Sequence, residues 1–262
     1  MDAATHRALT IDQFTRQAVS FANLPGHSSS LGLLTQLGRP SVADDVLDVA
    51  CGPGLVACHF APLVAHVAGL DITPEMISQA GQAQAGRGLT NMTWRVGSAD
   101  PLPFPDATFS LVLTRYSFHH FQRPAAVLPE MVRVCRPGGR VLVADVVQPA
   151  DKVAGYDEIE LLRDPSHVHA LSRDEFAGLF AGSGLGSVQF AEYKVELALE
   201  HQLAASFPVP GGADRIRELL RADVGADRRG VSAHWVGSEL HYAIPIVVAV
   251  GTKHAEPGTS AA

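Results

Sequence analysis

Two adjacent histidines, His119 and His120, stand in the segment Arg115-Tyr116-Ser117-Phe118-His119-His120-Phe121. Histidine titrates near neutral pH, so it can both orient a nucleophile and remove its proton. Neighbours in regular structure point opposite ways, so only one of the pair is expected to face a substrate. Upstream, the stretch VLDVACGPG (46–54) sets the carboxylate of Asp48 beside Gly52 and Gly54. Glycines between a strand and a helix let backbone approach a ligand closely, and the start of the helix can accept a polar or anionic group. Residues 52–57 also satisfy GxGxxA, the relaxed dinucleotide fingerprint. Asp71 follows Gly54 by 17 residues, where an acid can hold two ribose hydroxyls. These residues leave two ligands open: NAD(P), or an adenosine-bearing cofactor without a pyrophosphate. Asp48 favours the second, since a carboxylate repels a pyrophosphate and attracts an ammonium and a sulfonium.

The elements that carry these groups alternate. Residues 45–50, 64–70, 92–96, 109–114 and 140–147 read as buried strands, with helices predicted over 55–65, 73–85 and 124–135 between them. Helices are also expected over 156–163 and 173–181, the second capped by Ser172 and Glu175, and strands over 188–197 and 241–253. Strands separated by helices imply a parallel sheet covered on both faces, with ligands at the carboxyl ends of the strands. The fourth strand delivers the His119–His120 segment to that edge, and the fifth delivers Asp145, which can orient Arg115 or a histidine. At the N-terminus, Thr10 and Gln13 form a predicted capping box for a helix ended by Pro25-Gly26. Pro245 falls inside the last strand, where a bulge would accommodate its missing donor.

Four stretches in order resemble one family: VLDVACGPG (46–54), GLDITPEMISQA (69–80), GSADPLPFPDATFSLVLTRYSFHHF (97–121) and EMVRVCRPGGRVLVAD (130–145). Together they are similar to the class I S-adenosylmethionine-dependent methyltransferases. The likeness is greatest to the bacterial branch of ubiquinone/menaquinone C-methyltransferases and natural-product methyltransferases. It implies a doubly wound, seven-stranded, mostly parallel Rossmann-like sheet whose seventh strand is antiparallel. It implies S-adenosylmethionine as cofactor, held by Asp48, Ala50, Gly52, Gly54, Asp71, Ile72, Met76, Ser98, Ala99, Thr114 and Arg115. Asp48 lies near the amino group, Asp71 on the ribose, and Ile72 and Met76 against the adenine. Ser98 stands where the family has an Asp that meets the adenine amino group, so a charge-assisted contact is lost. His119 and His120 are then the catalytic candidates, and Phe14, Tyr116, Arg163 and His167 the candidates for substrate contact.

The chain has 262 residues, 47% apolar and 18% charged, with a net charge of −7. That composition excludes disorder and lacks the basic footprint of a non-specific nucleic-acid binder. Cys51, Cys58 and Cys135 have neither disulfide-framework nor zinc spacing, so a cytoplasmic setting and no metal are expected. No secretory leader and no membrane insertion are expected either, because residues 1–14 hold no apolar run and no apolar stretch reaches the ~18 residues that span a bilayer. Residues 1–40 and an insertion at 201–238 are expected to form a helical cover, with Phe14, Phe21, Phe207 and Trp235 lining it. The catalytic domain would then comprise 41–200 and 239–253, with a flexible tail at 254–262. The resulting expectation is methylation of a small aromatic, quinone or natural-product molecule in secondary metabolism. The alternatives are a methyltransferase-fold cyclase or non-catalytic binder, and an NAD-dependent oxidoreductase.

Overall fold

The apolar, β-branched run Asp45–Val49 forms the central strand β1 of a mixed sheet. In this computed structural model residues 1–22 and 30–255 are described. Helices α1 (Ala3–Ala22) and α2 (Leu31–Gly38) precede the sheet. Then come α3 (Leu55–Phe60), β2 (His66–Asp71), α4 (Pro74–Gly86), β3 (Met92–Val96), β4 (Phe109–Arg115), α5 (Pro124–Val134) and β5 (Cys135–Gln148). The second half holds α6 (Val153–Arg163), β6 (Leu171–Ser172), α7 (Arg173–Ala181), β7 (Leu185–Ala198), α8 (Leu199–Ala204), α9 (Gly212–Arg221), β8 (His234–Val236) and β9 (Glu239–Lys253).

The principal strand order is β3-β2-β1-β4-β5-β9-β7, with β9 antiparallel to both neighbours. All seven expected strands lie on this path; the short β6 and β8 pair with β5 and β9. Alternate residues of the inner strands feed two separate cores. Val46, Leu111, Leu113 and Leu142 pack on one face, with α3, α6 and α9. Leu47, Val112, Val141 and Val143 pack on the other, with α5 and α7. The period-2 division of continuously apolar strands is what a sheet buried on both faces requires. The chain reverses its direction of winding between β1 and β4, which opens a crevice at their carboxyl ends.

Three local expectations are corrected. Helix α1 begins seven residues before Thr10, because Asp2 accepts the Thr5 amide (2.8 Å); Thr10 is interior and donates its hydroxyl to the His6 carbonyl (2.9 Å). Pro25-Gly26 lies outside the described residues. Pro245 pairs with Lys194 without a bulge, and β9 meets β5 only from Ile246 onward, so no partner on that side needs the missing donor. Finally, the 201–238 segment is not wholly helical, since His234–Val236 folds back on β9 as a hairpin strand. Among the described residues no helix is long and apolar enough to cross a membrane.

Candidate active site

The crevice contains a cavity of about 350 Å3, within the usual range for small-molecule sites. Its floor is the turn after β1. Ala50 adopts a left-handed φ of 55°, the Cys51 amide donates to the Leu70 carbonyl (3.0 Å), and the Gly52 amide donates to Asp71 Oδ2 (2.9 Å). Asp71 Oδ1 accepts the Thr73 amide (2.9 Å). Each carboxylate oxygen of Asp71 therefore keeps a lone pair for a ligand while being aimed by backbone. Burial raises the Asp71 pKa, opposed by those amides.

Asp48 is 1% exposed, and its Oδ2 has no hydrogen-bond partner among the described residues. Burial pushes its carboxyl up to about 7, against the pull of Arg115 and the Ala57 amide. A buried carboxylate oxygen without a partner is costly unless a ligand supplies one. Ile72, Met76, Ser98, Ala99 and Arg115 also line the cavity. The Arg115 guanidinium lies 4.6 Å from the Tyr116 ring centre and donates to Ser30 Oγ (3.1 Å).

Two expected cofactor residues, Gly54 and Thr114, do other work, and a third, Ser98, lines the cavity with its hydroxyl turned on its own loop. Gly54 does not line the cavity; a Cβ there would lie 2.9 Å from the Trp94 ring and 3.0 Å from Ala80, and its φ is 79°. Its role is close packing of the turn against α4 and β3. Thr114 is fully buried and donates to the Val49 carbonyl (2.6 Å), tying β4 to β1. The Ser98 hydroxyl accepts the Asp100 amide (3.1 Å) and donates to the Asp100 carbonyl (3.0 Å), so it holds its own turn.

After β4 the chain makes a short 3-10 turn, Phe118–His120, and not a strand. The two histidine rings therefore lie side by side, 4.3 Å apart, instead of facing opposite ways. His119 donates through Nδ1 to Asp145 Oδ1 (2.6 Å), while Asp145 Oδ2 accepts the amides of Ser117 and Phe118 (both 2.7 Å). Asp145 thus aims His119 and builds the turn that holds it. Burial lowers the His119 pKa, but the charge and hydrogen bond of Asp145 outweigh it and the net shift is upward. His120 is pushed down to about 3 by burial and by His119. Its Nδ1 donates to the Ser166 carbonyl (3.2 Å), which leaves Nε2 as an acceptor.

His120, Phe14 and Tyr116 also line a second cavity of about 80 Å3, together with His119 and Arg163. Arg163 is paired with Glu160 and donates to Ser206 Oγ (3.3 Å). His167 lines neither cavity; its Nε2 meets Asp157 Oδ1 (2.7 Å) in a half-buried pair. Phe207 and Trp235, 39% and 49% exposed, line neither cavity, and the side chain of Phe21 lies outside the described residues. Sequence reasoning missed Ala3, His6, Arg7 and Thr10 of α1, which cover the first cavity at helical spacing. Their stripe is mostly polar, so a search for apolar periodicity passes over it. Among the described residues no cluster of three or more His, Cys, Asp or Glu could hold a metal.

Residues 47–143 match the family model described as a methyltransferase domain. The chain is 28% identical over 232 residues to the uncharacterized methyltransferase YcgJ of Bacillus subtilis, covering 85% of this chain and 90% of that one. The crystal structure of YcgJ superposes with a TM-score of 0.79 at 26% identity, over 88% of this chain and all of the other. Residues 47–143 thus carry a methyltransferase domain, and the chain shares its fold with YcgJ over most of its length. The chain is also 35% identical over 123 residues to the ubiquinone/menaquinone C-methyltransferase UbiE of Desulfotalea psychrophila, which covers 46% of this chain and about half (48%) of that one. The cavity fits S-adenosylmethionine on its own chemistry: the unpartnered Oδ2 of buried Asp48 suits an ammonium, and Asp71 presents lone pairs suited to a diol.

Proposed function

We propose that this methyltransferase transfers a methyl group from S-adenosylmethionine to a small acceptor held against the His119–His120 pair. The acceptor is of aromatic, quinone or natural-product type, and the work is done in the cytoplasm as part of secondary metabolism. The observation that carries the proposal is the shared wall. Phe14, Tyr116 and His120 line both the cavity holding Asp48 and Asp71 and the one holding His119, so the two adjoin. An acceptor on one side can therefore meet a methyl donor on the other.

In this scheme Asp48 takes the cofactor's ammonium, Asp71 its ribose hydroxyls, and Ile72 and Met76 its adenine. The turn at 50–52 passes along its methionine end, with Arg115 beside it. S-adenosylmethionine, when bound, supplies an electrophilic methyl on a sulfonium centre. The chain's own contribution is alignment, exclusion of water and movement of one proton. A proton rests first on His119, stabilised by Asp145, and keeps His120 neutral. Once the pair is vacant, it removes the proton from the acceptor as the acceptor's lone pair forms the new bond to carbon. The former carbon–sulfur pair stays on sulfur, and the histidine proton leaves to water.

Isothermal titration tests the cofactor assignment. S-adenosylhomocysteine should bind and NADH should not; preference for NADH would remove the proposal. Replacing His119 and His120 singly by Ala should each slow turnover, by about 10²–10⁴ for the residue that takes the proton. Full activity in both variants would leave alignment alone as the catalytic device.

A further inference from the structure

Resting on that methyl-transfer reading, we infer that the second cavity is the acceptor pocket and selects an uncharged molecule bearing a hydroxyl, of phenol or enol type. The cavity is walled by Val146, Val195, Leu197, Ile244 and Ile246, which suit an apolar body. Its roughly 80 Å3 is about half the size of an apolar cavity able to admit benzene, so it takes the hydroxyl-bearing edge of an acceptor and not a whole ring.

Charge decides the rest. Glu160 and Asp164 line the cavity and Asp145 stands behind His119, three carboxylates against the guanidinium of Arg163 and the proton on His119. A buried anion entering this surplus of carboxylates would be repelled. A cation would find no carboxylate oxygen in need of it. Glu160 is paired with Arg163; Asp164 accepts from Gln17 Nε2 (3.2 Å), the Ser166 amide (2.9 Å) and Ser166 Oγ (2.6 Å). Asp145 accepts the amides of Ser117 and Phe118, that of Val146 (2.8 Å), and His119.

What the lining does offer is neutral acceptor atoms. Gln202 lines the cavity and is 7% exposed, and its buried Oε1 has no partner among the described residues. His119 and His120 both spend Nδ1 on protein oxygens, so in the neutral pair each Nε2 is an acceptor. A ligand that donates hydrogen bonds without carrying charge satisfies this set. Its hydroxyl must also release a proton to an imidazole. Phenols, at a pKa of about 10 like a tyrosine side chain, meet that condition far better than aliphatic alcohols.

The test uses the full chain saturated with S-adenosylhomocysteine and titrated calorimetrically with phenol, anisole, benzoate and benzylammonium. Phenol should bind at least tenfold more tightly than the other three. Gln202→Leu should weaken phenol by up to about tenfold, the scale of one hydrogen bond. Val195→Phe should fill the cavity and abolish phenol binding. Both variants should keep their affinity for S-adenosylhomocysteine, which reports that they are folded. Equal or better binding of any of the other three, no phenol binding, or phenol binding that survives Val195→Phe would overturn the assignment. If S-adenosylhomocysteine itself fails to bind, the methyl-transfer reading falls instead, and the same titrations on the free chain still decide the pocket.

Discussion

His119 and His120 differ in charge although they are neighbours, and the difference sets how activity should depend on pH. Asp145 holds the His119 pKa above the ordinary histidine value of about 6.5, so His119 keeps its proton to higher pH than a free histidine. The rate should therefore rise with pH through one ionisation above that value. Asp145→Asn should move the ionisation to lower pH, and a pH profile of kcat that does not move would show that Asp145 leaves the pair untouched. The sign for stability is opposite. The Asp145–His119 contact stabilises the fold fully below the unfolded histidine value and is lost as pH rises through the folded one.

Asp48 behaves in a related way. Its carboxyl is raised to about 7, so the free protein is favoured below the usual carboxylate range and loses that contribution as pH rises through about 7. A bound ammonium reverses the preference, because it stabilises the ionised form. Binding of S-adenosylhomocysteine near pH 6 should therefore release protons, seen as a calorimetric enthalpy that varies with the buffer. Asp48→Asn should abolish that variation. Asp71→Ala should weaken the same ligand by about 1–3 kcal/mol, the scale of lost hydrogen bonds to a charged group.

At the scale of elements, side-chain hydrogen bonds tie the cover to the rest of the chain. His6 Nε2 donates to the Ser166 carbonyl (3.0 Å), Gln13 Nε2 to the Phe207 carbonyl (3.3 Å) and Gln17 Nε2 to Asp164 Oδ2 (3.2 Å). Removing the first and third together, with His6→Ala and Gln17→Leu, should speed amide exchange in α1 while leaving β1 and β4 protected. Unchanged exchange in α1 would mean that apolar contacts such as Phe14 on His120, 5.0 Å between ring centres, hold the cover by themselves. The cap of α7 gives a cleaner element test. Ser172 Oγ accepts the Glu175 amide (3.2 Å), and Glu175 Oε2 accepts the Ser172 amide (2.8 Å). Ser172→Ala should cost about 1 kcal/mol in denaturant unfolding with no change in cofactor affinity. That box was legible in the sequence because both partners lie within four residues. The Thr10 box was not a helix start, because Asp2, eight positions earlier, supplies the competing cap.

For the whole molecule, a ligand that binds only the folded chain stabilises it by mass action, by about 2.7 kcal/mol at a hundredfold excess over its Kd. S-adenosylhomocysteine should raise the unfolding midpoint accordingly, and NADH should leave it unchanged. The sequence by itself determined the alternating elements, the glycine turn and the positions of Asp48 and Asp71. Each of these is a local pattern, set by side-chain period or by residues adjacent in the chain. The cofactor cavity is local in the same sense, since its floor is the end of β1 and the end of β2, paired in register from Asp45–His66 to Val49–Leu70. Only the tertiary structure decided what lies opposite. It set His119 on Asp145 across 26 residues and Gln17 on Asp164 across 147. It gave Gly54 to Trp94 and Thr114 to Val49, and it placed Gln202 in the second cavity. Those contacts depend on where helices cross strands and on the turn at 118–120, and no periodicity along the chain encodes either.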